Sequence, residues 1–163
     1  MHAISKEQER EELLMIRKFN RNDKQIYIEM AHEFYHSDAV LHPVPDEHFG
    51  KTVEEALRKD GFAEIFMLEY DGTPAGYVLT AKSFSQEAGG MVVWIEEIYI
   101  RSAYRSKGLG REFFAYLEEN RGSDVVRLRL EVEEDNIRAI SLYRKIGYEK
   151  LDYMQMIKDF RAK

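Results

Sequence analysis

Cysteine is absent from all 163 residues. That excludes disulfides, thiolate metal sites and cysteine nucleophiles together, and it fits a reducing compartment. No apolar run approaches the roughly 18 residues a membrane span requires. The opening residues, MHAISKEQEREE, lack the apolar core of a secretory signal, so a cytoplasmic protein with no membrane partner is expected. Proline is scarce: two of the three sit in one irregular stretch, DAVLHPVPDEHFG. Repeats, low-complexity tracts and linkers are also missing, and the length suits one domain, 1–163, with 1–12 frayed.

What is present is charge, unevenly placed. The formal net charge is −6, which disfavours general nucleic-acid binding. Residues 1–100 carry 10 Lys/Arg against 19 Asp/Glu, and residues 101–163 carry 14 against 11. An acidic half suits a cationic substrate and a basic half an anionic cofactor, although ordinary solvated charge gives the same asymmetry.

Periodicity predicts a mixed α/β order. LLMIRKF reads as a strand, and 21–37 as a helix with apolar residues at helical spacing and Asp23 aiding its first turn. TVEEALRKDG reads as a second helix, with Thr52 and Glu55 as a capping box and Gly61 as its stop. AEIFMLEY, a DGTP turn and AGYVLTAKSF form a hairpin, followed by a strand over 91–100. A helix over 109–121, a strand over 125–132, a helix over 136–147 and a last strand near DYMQMI complete the order.

The stretch AYRSKGLGREFF joins strand to helix and gathers cations and glycines. A nucleotide-triphosphate loop would need Lys and Ser/Thr after its last glycine, where Arg111 and Glu112 stand. A dinucleotide fingerprint would need a third glycine where Phe113 stands, and it would follow the first strand of its unit. What remains is R-x-x-G-x-G over 105–110. Missing Cβ atoms at Gly108 and Gly110 let the backbone approach a diphosphate, with helix N–H groups aimed at its oxygens. Arg105, Lys107, Arg111 and Arg101 offer counter-charge.

This loop with its preceding strand, WIEEIYIRSAYRSKGLGREFF, and the later NIRAISLYRKIGY resemble the GNAT family of acetyl-CoA-dependent N-acetyltransferases. The first matches the family's [Q/R]-x-x-G-x-[G/A] motif. The second matches N-x-x-A-x-x-x-Y-x-K-x-G-[F/Y] at Asn136, Ala139, Tyr143, Lys145, Gly147 and Tyr148. The detailed likeness covers residues 91–150. It implies an α/β fold with a mixed, mostly antiparallel central sheet, splayed middle strands and flanking helices. Backbone around Ile98, Tyr99 and Ile100 would pair with the pantetheine arm, and the Ile98 N–H would polarise the thioester carbonyl. Arg105, Ser106, Lys107, Gly108, Leu109, Gly110 and Arg111 would hold the diphosphate of acetyl-CoA, and Asn136 would bond the arm.

An aliphatic amine with a pKa near 10.4 must lose a proton before attacking a thioester. Strand alternation puts Trp94, Glu96 and Ile98 on one face and Ile95, Glu97 and Tyr99 on the other. The resemblance implies Glu96 as base, direct or through water, or as substrate anchor, and Tyr143 as general acid for the leaving thiolate. Glu97 is the lesser candidate for the same role; the competing readings are a structural ion pair or a solvated strand face for either glutamate and a packed core tyrosine for Tyr143.

Between the first two helices, FYHSDAVLHPVPDEHFG would shape the acceptor pocket. Tyr35, His36, Asp38 and Trp94 are the expected substrate contacts, an acidic-aromatic setting for a cationic amine. His36, His42 and His48, six apart in a proline-broken loop, do not read as a metal site, so no metal is expected. The leading function is acetyl transfer to a small primary amine. The alternatives are a protein N-terminal or lysine acetyltransferase and a non-catalytic acyl-CoA-sensing module. Homodimers are common in this family, but no sequence feature here sets one.

Overall fold

A computed structural model describes residues 13–37, 40 and 44–160. The expected frayed start lies outside them. The chain divides into two compact units, Met1–Glu131 and Val132–Lys163.

In the first unit, one sheet holds β1 (Leu14–Lys18), β2 (Ala63–Tyr70), β3 (Thr73–Ser85), β4 (Gly90–Ile100) and β5 (Val125–Leu130), in that spatial order. Every pairing is antiparallel except β4 with β5, which is parallel. The helices are α1 (Lys24–Tyr35), α2 (Glu47–Ala56) and α3 (Leu109–Asn120). This is the mixed, mostly antiparallel sheet expected from the sequence. Among the described residues no helix is long and apolar enough to cross a membrane.

Local chemistry explains the elements. Asp71 and Gly72 both take positive φ, 50° and 69°, the mirror-image turn whose twist matches a right-handed hairpin. Tyr27, Met30 and Ala31 are buried along one stripe of α1. With Phe49 and Val53 of α2 they cover Ile65, Met67, Tyr77 and Tyr99 on one sheet face. On the opposite face, the Phe113 ring of α3 packs edge-on to Phe66 at 5.5 Å.

Two expectations are corrected. Helix α2 starts at Glu47, its first turn closed by His48 N–H donating to the Pro45 carbonyl. Asp46 is its N-cap, and Thr52 lies inside the helix, its hydroxyl donating to the His48 carbonyl at 3.0 Å. Glu55 instead works at the other end, accepting the Phe62 N–H at 2.8 Å.

In the second unit, α4 (Ile137–Lys145) forms as expected, but the last strand does not. Residues 148–160 have no regular secondary structure, and Tyr153, Met154, Met156 and Ile157 are 66–93% exposed. An alternating apolar segment becomes a strand only when another edge takes its backbone groups. No described strand pairs with it.

The first unit is pinned at its outer edge by Arg17. Its guanidinium grips both oxygens of Asp23 at 2.7 and 2.8 Å and one oxygen of Glu69 at 2.6 and 2.8 Å. Asp23 also accepts the Asn20 N–H, closing a capping box ahead of α1. The Arg17 hydrogen bonds hold the Asp23 carboxyl below its ordinary range. A depressed carboxyl stabilises the fold above its unfolded-state pKa, and that contribution is lost as pH falls through the folded-state pKa. Asp23→Asn is expected to cost about 2 kcal/mol at neutral pH, below the value for a fully buried pair because Arg17 keeps 29% of its side-chain surface. Urea unfolding should show the gap between variant and wild type closing in acid. A gap independent of pH would contradict this origin.

Candidate active site

The central feature is a register break in β4. Tyr77, Val78 and Leu79 face Tyr99, Ile98 and Glu97, but the next residue, Thr80, faces Ile95. Glu96 is left unopposed as a β-bulge. An extra residue turns over the side-chain phase, so the alternation expected across this strand fails. Trp94, opposite Ala81, lies on the α1/α2 face with Glu97 and Tyr99, whereas Ile95 shares the α3 face with Ile98.

The bulge is also where β4 loses its second neighbour. Pairing with β5 runs from Met91 to Ile95, ending at Leu130, and Glu97–Ile100 pair only with β3. The Arg101 N–H donates to the Ala75 carbonyl at 2.9 Å. Hydrogen-bonded and open positions alternate along an antiparallel pair, so Tyr99 also turns its backbone to β3. Ile98 and Ile100 turn theirs to the open edge. The Arg105 side chain bonds the Ile100 carbonyl there at 3.0 Å, and the Ile98 groups have no strand partner there among the described residues.

The loop beyond β4 uses its two glycines differently. Gly108 has φ 86° as the N-cap of α3, a left-handed conformation that suits glycine. A Cβ on Gly110 would meet only the Ile100 Cδ1, at 3.9 Å. Packing thus tolerates a side chain at 110, and its absence clears space at the helix mouth. The first intrahelical bond is Glu112 N–H to the Gly108 carbonyl. The N–H groups of Leu109, Gly110 and Arg111 consequently lack intrahelical acceptors. Arg105, Ser106, Lys107 and Arg111 are exposed around them, and Leu109 is buried as an anchor. Lys107 lies over the Tyr70 ring at 5.0 Å. This cradle suits a diphosphate. Arg101 does not join it: its guanidinium binds Glu29 at 2.5 Å and Glu33 at 2.8 Å on α1.

The two adjacent glutamates have opposite environments. Glu96 is exposed, and partial desolvation with the charges of Glu131 and Glu97 raises its carboxyl above the usual range. Glu97 is sheltered, accepting hydrogen bonds from the Tyr35 and Tyr77 hydroxyls, the latter at 2.7 Å. Burial raises its carboxyl too, and the two tyrosines oppose that shift. Sequence reasoning missed this lock between α1, β3 and β4, because tyrosines at positions 35 and 77 give no local sign of a shared partner.

Tyr35 is thus held by Glu97. His36 is exposed and stacks on His32 at 3.8 Å, pointing to solvent rather than the sheet. His48 lies in α2, and Asp38 and His42 lie outside the described residues. Trp94 is covered by the Arg129 guanidinium, 4.0 Å above its ring. A separate cleft of about 300 Å³ between Phe66, Val93 and Leu117 opens near the other end of α3 and contains none of the expected residues.

In the second unit, the Asn136 Oδ1 accepts the Ala139 N–H at 3.2 Å as the cap of α4. Its amide donors remain available for a ligand. Desolvation raises the Tyr143 hydroxyl in pKa, and the Tyr143 and Tyr148 ring centroids lie 5.9 Å apart.

Comparison with known proteins agrees with this geometry. The profile of the acetyltransferase (GNAT) family matches residues 25–148. Mouse thialysine N-epsilon-acetyltransferase is 30% identical over 152 residues, spanning 83% of this chain and 84% of the relative. The spermine/spermidine N(1)-acetyltransferase of Bacillus subtilis (strain 168) is 27% identical over 86 residues, 50% of this chain and 57% of that protein. A possible acetyltransferase from Clostridium difficile 630 superposes with a TM-score of 0.77 at 19% identity, covering 92% of this chain and 99% of that one. An aminoglycoside N-acetyltransferase solved with CoA gives 0.71 at 16% identity, covering 91% and 95%. The structural likenesses show the fold, and the profile crosses both units. The chain belongs to the acetyltransferase (GNAT) family and is an acyl-CoA-dependent N-acetyltransferase.

Proposed function

We propose that this enzyme transfers acetyl from acetyl-CoA to a primary amine of a small cationic acceptor, the two units working as one domain in the cytoplasm. The observation that carries this reading is the open β4 edge at Ile98, ending at a glycine-lined helix mouth. When bound, acetyl-CoA supplies a thioester carbonyl that an uncharged amine attacks. The Ile98 N–H donates to that carbonyl oxygen, as in an oxyanion site. Ile100 and Asn136 hold the pantetheine arm, and residues 105–111 hold the diphosphate. Glu96, exposed and raised in pKa, takes the ammonium proton directly or through one water. Tyr143 gives its proton to the departing sulfur. The named acceptors of the thialysine and spermine/spermidine relatives are small amines, and the acidic first unit suits them.

A panel of spermidine, thialysine, an aminoglycoside and a peptide with a free N-terminus, scored by thiol release, tests the reading. Release that depends on a small amine is expected. Acetyl-CoA binding without release across the panel would identify a sensor instead. Glu96→Gln should lower kcat by about 10²–10⁴-fold, and Tyr143→Phe should lower kcat far more than it raises the acetyl-CoA KM. Unchanged turnover in either variant would remove that residue from the chemistry. Gly110→Ala should keep the wild-type Tm while raising the acetyl-CoA KM about tenfold, a loss of roughly 1.4 kcal/mol. An unchanged KM would show that the diphosphate does not approach this backbone.

A further inference from the structure

We propose that Arg129, held over Trp94, is a carboxylate-recognising subsite, so that the acceptor is an amine that also carries a carboxylate. This inference rests on the acetyl-transfer reading of the same site.

The parallel register of β4 and β5 puts Trp94 beside Arg129. The Arg129 guanidinium lies 4.0 Å from the indole centroid, half-buried. Among the described residues it has no carboxylate partner. Other cations of the sheet do: Arg17, Lys18, Lys82, Arg101 and Arg127 each pair with an acid. A half-buried cation left unpaired in an acidic unit is an expensive arrangement unless a ligand completes it. The planar guanidinium carries its N–H donors in a fork suited to bidentate binding of a carboxylate. It also covers one face of Trp94 with a cation, which works against that face receiving the acceptor's ammonium.

Position supports the same ligand. Along β4, the diphosphate loop lies beyond Ile100, the open edge lies at Ile98 and Ile100, and Glu96 marks the bulge. Trp94 and Arg129 stand two residues further back, about 7 Å along the strand from Glu96. An acceptor whose amine meets the bulge from the side away from the loop passes over them. Glu97 and Glu131 lie close enough to Glu96 to act on its carboxyl. A cation followed by acids complements a zwitterion with its carboxylate at one end and its reacting amine at the other.

Matched pairs test this: lysine against cadaverine, and ornithine against putrescine. Trp94, the sole tryptophan, supplies a readout independent of turnover. The carboxylated member of each pair should have kcat/KM at least about tenfold higher, the scale of a charge-assisted hydrogen-bonded pair. It alone should shift Trp94 emission. Arg129→Gln should abolish the preference mainly through KM for the carboxylated amine, and Arg129→Lys should retain part of it. Equal or better turnover of the decarboxylated members, or equal losses on both in Arg129→Gln, would overturn the subsite. Emission shifts without thiol release from any amine would uphold the subsite and defeat the acetyl-transfer reading. Absence of any emission shift would defeat the subsite whatever the turnover.

Discussion

An extra residue in β4 has no counterpart in β3, and the strand absorbs it at Glu96 by turning over its side-chain phase. Three consequences follow from that one break. The pairing with β5 stops at Ile95, so the backbone of Ile98 is left without a strand neighbour. The Glu96 side chain is released from both packed faces and becomes exposed. Trp94 is placed on the same sheet face as Glu97 and Tyr99. A regular strand would have given none of these, since a continuous ladder satisfies its own edge and buries alternate residues.

The acids around this break have separate uses, decided by their partners. Glu33 is neutralised by Arg101 and also accepts the Tyr99 hydroxyl at 2.8 Å, tying α1 to the end of β4. Glu97 is committed to Tyr35 and Tyr77, which fasten the C-terminal end of α1 to β3 just beside the bulge. Glu96 has no such tether among the described residues, and partial desolvation, with the negative charge of Glu131 and Glu97, raises its proton affinity. One glutamate therefore holds the scaffold while its neighbour has the exposure and basicity that proton transfer requires.

Much of this was legible in the chain. The DGTP turn, the β2–β3 hairpin and α3 follow from local chemistry, and R-x-x-G-x-G was legible because glycine spacing reports backbone directly. The bulge was not, because WIEEIYI satisfies strand propensity with or without an extra residue. Only the partner strand reveals the count. Thr52 misled for a similar reason: a capping pattern is local and can lie inside a helix, and α2 already begins at Glu47. The expected strand near DYMQMI needed an edge that sequence pattern cannot supply. The fate of Arg101 depended on Glu29 and Glu33, about 70 residues away in sequence, beyond the reach of any local rule. The glycines of the loop follow from the sequence, but Gly108 as the left-handed cap and Gly110 as an open position at the helix mouth depend on the fold around them.

The open edge of β4 is the claim on which the cofactor reading rests, and amide hydrogen exchange at single residues tests it most directly. In the free protein, Ile98 N–H should exchange rapidly while Tyr99 N–H, turned to β3, is protected. Saturating CoA should protect Ile98 strongly and leave Tyr99 little changed. An Ile98 amide already protected without ligand, or one that CoA leaves unprotected, would contradict the account.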